Sequence, residues 1–107
     1  MALTRKNVDF DYIPSTKGDL YTPTSCSNGL IHNILIHNSN TASENIIIYY
    51  HDGTNEYPIF NIDLAANDTF VPEWIGEGFV VMDGAKITGV TDTASKVVIK
   101  IDGTEES

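Results

Sequence analysis

Few side chains in this sequence carry reactive chemistry, and their types name the chemistry to test. Three histidines, His32, His37 and His51, offer imidazoles that serve as zinc ligands or general bases. On a regular strand, residues an odd number apart point to opposite faces, so His32 and His37 do not share one ion. A hairpin joining the run around His32 to the run around His51 would bring that second pair together. It is the first place to look for zinc, but the three histidines read as sheet-surface or interface residues, and no metal or cofactor is expected.

Cys26 is the only cysteine, so the chain forms no internal disulfide and builds no thiolate-rich centre by itself. A cysteine nucleophile needs an adjacent base, and none stands near it in sequence, so Cys26 reads as a spectator. The run Asp52-Gly53-Thr54-Asn55-Glu56 gathers oxygen atoms without the one-three-five spacing that wraps calcium, and reads as a hairpin turn. Asp63, Asp68, Glu73 and Glu77 form no matched acid and base pair. With no phosphate loop and no nucleophile elbow, no catalytic residue is assigned and the chain is not read as an enzyme. Trp74, after Pro72 and Glu73, reads as a core or interface anchor rather than a platform for sugar rings.

The elements that must position these residues are strands. A length of 107 residues fits one domain. The 41% of hydrophobic residues fall in short runs, none long enough for a membrane helix, so no membrane partner is expected. Arg5 and Lys6 precede residues too polar for a secretory signal, so the chain is expected not to be exported by the general secretory route. Fifteen acidic side chains against six basic ones give a net charge of −9, a field that repels phosphates and argues against nucleic acid.

From Asp19 onward, runs rich in Ile, Val, Tyr and Thr alternate with Gly, Asn, Asp and Ser, predicting strands at Leu20–Thr22, Leu30–His37, Asn45–His51, Tyr57–Ile62, Thr69–Trp74, Phe79–Met82, Lys86–Val90 and Lys96–Ile101. The expected fold is all-β, an antiparallel β-sandwich of jelly-roll or immunoglobulin-like type. In the last strand Val97, Ile99 and Ile101 alternate with polar neighbours, predicting one wet face.

Two segments break this pattern. Residues 1–18 show no strand or helix period and end on Pro14, Ser15, Thr16 and Gly18, so they read as an extended N-terminal arm before a sandwich domain at 19–107. Arg5, Lys6, Phe10, Tyr12 and Ile13 are its candidate partner-binding residues, three apolar anchors beside two cations. In Ile34-Leu35-Ile36 and Ile46-Ile47-Ile48-Tyr49-Tyr50 apolar residues occupy both parities, so both faces of these strands are expected to be covered. Ile31, Leu35, Ile47 and Tyr49 are the candidate oligomer interface.

The order of segments, Leu20-Tyr21-Thr22-Pro23, Ile34-Leu35-Ile36-His37-Asn38, Ile46 to Tyr50, Met82-Asp83-Gly84-Ala85-Lys86-Ile87 and Val97 to Glu106, resembles small β-sandwich virion proteins of tailed bacteriophages. The resemblance implies a non-enzymatic capsid decoration or cement protein on the capsid surface of the virion. It implies a homo-oligomer, often a homotrimer, that binds the major capsid protein or another virion protein and stabilises the head. A tail, neck or baseplate accessory protein with the same sandwich is the alternative, and a carbohydrate-binding module for host attachment is a third reading.

Overall fold

The computed structural model describes residues 3–72 and 79–106, apart from the side chains of residues 3–10 and 79. Among the described residues there are nine strands and no helix: β1 (Leu3–Tyr12), β2 (Gly18–Tyr21), β3 (Asn28–Asn38), β4 (Glu44–His51), β5 (Glu56–Leu64), β6 (Thr69–Phe70), β7 (Phe79–Val81), β8 (Lys86–Thr91) and β9 (Val97–Glu106). They form two antiparallel sheets. The first runs β1-β9-β3, and the far side of β3 is shared by β7, against Gly29–Ile31, and β6, against Ile36 and His37. The second runs β2-β8-β4-β5.

Taking β6 and β7 as two halves of one interrupted strand, the pairings nest as β1 with β9, β2 with β8, β3 with β6 and β7, and β4 with β5. A long hairpin rolled up on itself pairs its strands in this order. Of the two sandwich types expected, the chain is therefore the jelly roll.

The core follows from alternation. In β9 the odd positions Val97, Ile99 and Ile101 are fully buried while Val98, Lys100 and Asp102 are partly exposed, as the sequence predicts. Ile34 and Ile36 of β3 stand beside them on the same sheet face, Ile46 and Ile48 of β4 and Ile87 of β8 belong to the opposing sheet, and all are equally buried. Each such side chain contributes about 1.5–3 kcal/mol relative to exposure.

Three expectations are corrected. The described part of the expected arm, from Leu3 on, does not stand apart from the sandwich: β1 lies along β9 from Leu3 to Tyr12, and Ile13, expected to dock on a partner, is 0% exposed in the core. Edge strands need only one apolar face, and the β-bulge between Asn7 and Asp9 breaks the alternation that would have revealed this one. Next, β3 and β4 do not form a hairpin. They lie in opposite sheets, joined across the layers by residues 39–43. Finally, β3 carries a bulge between Ile31 and Asn33 that leaves His32 and Asn33 both exposed and resets the parity. Ile31 consequently points inward and is 0% exposed, so it belongs to the core and not to an interface.

Gly103 makes that bulge possible. A Cβ there would stand 2.2 Å from the Leu30 carbonyl oxygen, so only glycine allows β9 to pass this close to β3 and run on to Glu106.

Candidate functional site

The reactive side chains are dispersed. The bulge places His32 and His37 on the same outer face of β3, contrary to the simple parity expectation, but each is held separately. His32 Nε2 lies 3.4 Å from Thr104 Oγ1, and His37 Nδ1 lies 2.8 Å from Thr69 Oγ1. His51 ends β4 in the other sheet, where its Nδ1 accepts the Gly53 N–H at 3.0 Å, so the pairing with His32 that a hairpin would have made does not form. Among the described residues no three His, Cys, Asp or Glu side chains gather as a metal site. Cys26 is exposed in the β2–β3 connection, where its backbone N–H donates to Asp83 at 3.2 Å. Asp52 caps its own turn by accepting the N–H groups of Thr54 and Asn55, which hold its carboxyl below the ordinary range. Glu73, Trp74 and Glu77 lie outside the described residues.

Sequence reasoning missed the buried polar groups, and these tie the loops together. Glu44 is 3% exposed and accepts from Thr93 N at 2.8 Å, Thr93 Oγ1 at 2.9 Å, Thr91 Oγ1 at 3.1 Å and Asn40 Nδ2 at 3.1 Å. Burial pushes its carboxyl up, but these donors outweigh burial and hold it below the ordinary carboxylate range. Asn38, fully buried, donates to the carbonyls of Ala42, Leu64 and Ala65 and accepts the Asn40 N–H. At the opposite end of the sandwich Tyr21 donates to Glu105 at 2.7 Å. Burial first, and this hydrogen bond second, push its hydroxyl well above the usual phenol range. Glu105 had a legible signal, since it extends the inward parity of Val97, Ile99, Ile101 and Gly103.

What remains as a functional surface is the pair of outer sheet faces. The outer face of the first sheet presents the partly buried Leu30, Leu35, His37 and Val98, with Val80 at 46% and Tyr12 at 50% exposure. Register places Leu35 beside Lys100, His37 beside Val98, and Val98 beside Tyr12. Arg5, Lys6 and Phe10 fall on β1, opposite Thr104, Gly103 and Lys100; their side chains lie outside the description.

The outer face of the second sheet presents Ile47, Tyr49 and Val90, all partly buried. Here Lys17 folds across the sheet. Its ammonium sits 4.7 Å from the centre of the Tyr49 ring and pairs with Glu56, which also accepts from Thr88 Oγ1 at 2.6 Å. Lys17 and then Thr88 hold the Glu56 carboxyl below its ordinary range. The four expected interface residues are thus not brought together: Leu35 lies on one outer face, Ile47 and Tyr49 on the other, and Ile31 between the sheets.

No protein-family model matches this chain, and no curated protein matches it in sequence. Solved structures resemble it distantly in fold. A pentameric capsid protein isolated from metagenomic phage sequences shares 9% identity, with a TM-score of 0.42, over 94% of this chain and 61% of that one. A chain of the infectious bursal disease virus Gt strain structure shares 12%, with a TM-score of 0.35, over 97% of this chain and 30% of that one. The xylanase 10B of Clostridium thermocellum, with its CBM22-1 and GH10 modules, shares 11%, with a TM-score of 0.37, over 99% of this chain and 24% of that one.

Proposed function

We propose that this chain is a non-enzymatic structural protein of a phage virion, a decoration or cement subunit that associates with itself and docks on the major capsid protein to stabilise the head. The supporting observation is that apolar side chains stand on the outer faces of both sheets, with Leu30, Leu35 and Val98 on one and Ile47, Tyr49 and Val90 on the other. Alternation in a two-sheet sandwich asks for polar residues at such positions, and apolar groups there suit a subunit that is covered on both sides. Viral capsid domains are among the proteins built on jelly rolls, which agrees with the reading at the level of fold alone.

The edges of the sheets fit the same picture. The β5 edge carries Pro58 and a bulge at Ile59, and the β1 edge carries a bulge at Val8, devices that blunt strand-to-strand addition. At these two edges strand addition is disfavoured, which turns attention to the faces and loops. The test is add-back: purified chain mixed with virus particles that lack it should bind saturably and raise their resistance to heat or chelator. Absence of binding overturns the reading. Retention on a glycan array with no binding to particles would favour the carbohydrate-binding alternative.

A further inference from the structure

We infer that the outer face of the first sheet packs against the same face of a second copy about a two-fold axis, with Lys100 of each copy against Asp102 of the other. This rests on the reading that the chain associates with itself, and it names the face.

Charge decides between the two faces. Copies carrying −9 each repel one another, so a self-contact must form where the local charge is balanced. On the second sheet Lys17 pairs with Glu56 and Lys86 with Asp19, which leaves Asp63 and Asp92, whose donors are the amide groups of Asn45, as uncompensated negative charge. Two such faces brought together oppose like charges. On the outer face of the first sheet the described ionic side chains are Lys100 and Asp102, with Glu106 at the far end of β9; Asp11 of β1 stands at the inward parity, opposite Ile99, and Glu105 is buried. Lys100 and Asp102 stand 3.6 Å apart on one strand face, and both remain more than a third exposed. An axis lying between the two faces, perpendicular to β9 at Ile101, turns this strand end for end and sets Lys100 over the partner's Asp102 and Asp102 over the partner's Lys100. A two-fold contact is self-complementary in this way. Leu35, beside Lys100 in register, and Val98, Leu30 and Val80 on the same face then lose their water.

The experiment is a charge swap read by native mass spectrometry and sedimentation. The wild-type chain should form an even-numbered species. Lys100→Asp and Asp102→Lys should each weaken self-association about tenfold or more, because each places like charges across the contact. An equimolar mixture of the two variants should restore association. The restoration also shows that both variants fold. Ile47→Lys, on the opposite face, should leave the dimer intact. If both charge variants associate like the wild type, or if Ile47→Lys alone abolishes the oligomer, this face is the wrong one while self-association stands. A wild-type chain that stays monomeric well above micromolar concentration overturns both.

Discussion

Single residues hold the loops of this sandwich, and their removal has calculable consequences. Asn38 satisfies three carbonyls and one N–H from a fully buried position. Asn38→Ala removes the donor to the buried Leu64 carbonyl and the bonds to three part-buried groups, and an unsatisfied buried group costs about 1–3 kcal/mol, so the urea midpoint should fall while the spectrum of the remaining folded protein stays all-β. Glu44 and Glu56 both have carboxyls held below their unfolded values. Such groups contribute stability that is fully present above the ordinary carboxylate range and is lost as pH falls through their depressed folded values. Asp52 is depressed in the same way, so stability measured by urea titration should decline below about pH 4.5 and flatten again only once all three are protonated. Glu44→Gln should make that decline shallower and lower stability near neutrality. A variant with the wild-type pH slope would show that the clamp made by Thr91, Thr93 and Asn40 is not what depresses Glu44.

At the scale of elements, legibility followed regularity. β9 was readable because Val97, Ile99 and Ile101 alternate without a break, and β4, β5 and β8 because short runs rich in β-branched and aromatic residues lie between turn residues. The reading failed where a bulge shifts the parity. In β3 the bulge at His32 turns Ile31 inward and puts His32 and His37 on one face, and no local property of Ile31-His32-Asn33 announces it. The turn-like Gly103 hid the second half of β9, because its real role is close passage by Leu30 and not a change of direction. Gly103→Ala should accordingly cost about 1–3 kcal/mol or more through forced backbone displacement, whereas Gly84→Ala, at φ +88 with open space around it, tests conformational strain alone. The N-terminal strand was missed for a related reason, as an edge strand with a bulge shows only half a pattern. Ile13→Ala should destabilise the chain by about 2–5 kcal/mol, and removal of residues 1–18 should lower stability throughout instead of sparing the body. A truncated chain with wild-type stability would return this segment to the status of a separate arm.

The whole molecule joins an isoleucine-rich core to an acidic surface with two partly apolar outer faces, and this combination sets its behaviour in solution. Repulsion between copies at −9 is screened by salt, whereas the burial of Leu30, Leu35 and Val98 is not, so self-association should strengthen from low to physiological ionic strength. A nucleic-acid-binding protein shows the reverse dependence for its ligand. The fold class was legible because strand spacing and turn residues are local properties, but the choice of jelly roll depended on pairings such as β1 with β9 that connect the two ends of the chain. The candidate faces were legible only as doubly apolar strands, since which parity faces out depends on the opposing sheet.

The central claim, that the chain is a structural subunit of the head, is tested most directly by its copy number in particles purified from the virus that encodes it, measured by quantitative mass spectrometry against the major shell protein. The account predicts a number of copies of the same order as the shell protein. A handful of copies per particle would move the chain to the neck or tail, and its absence from the particle would contradict the account altogether.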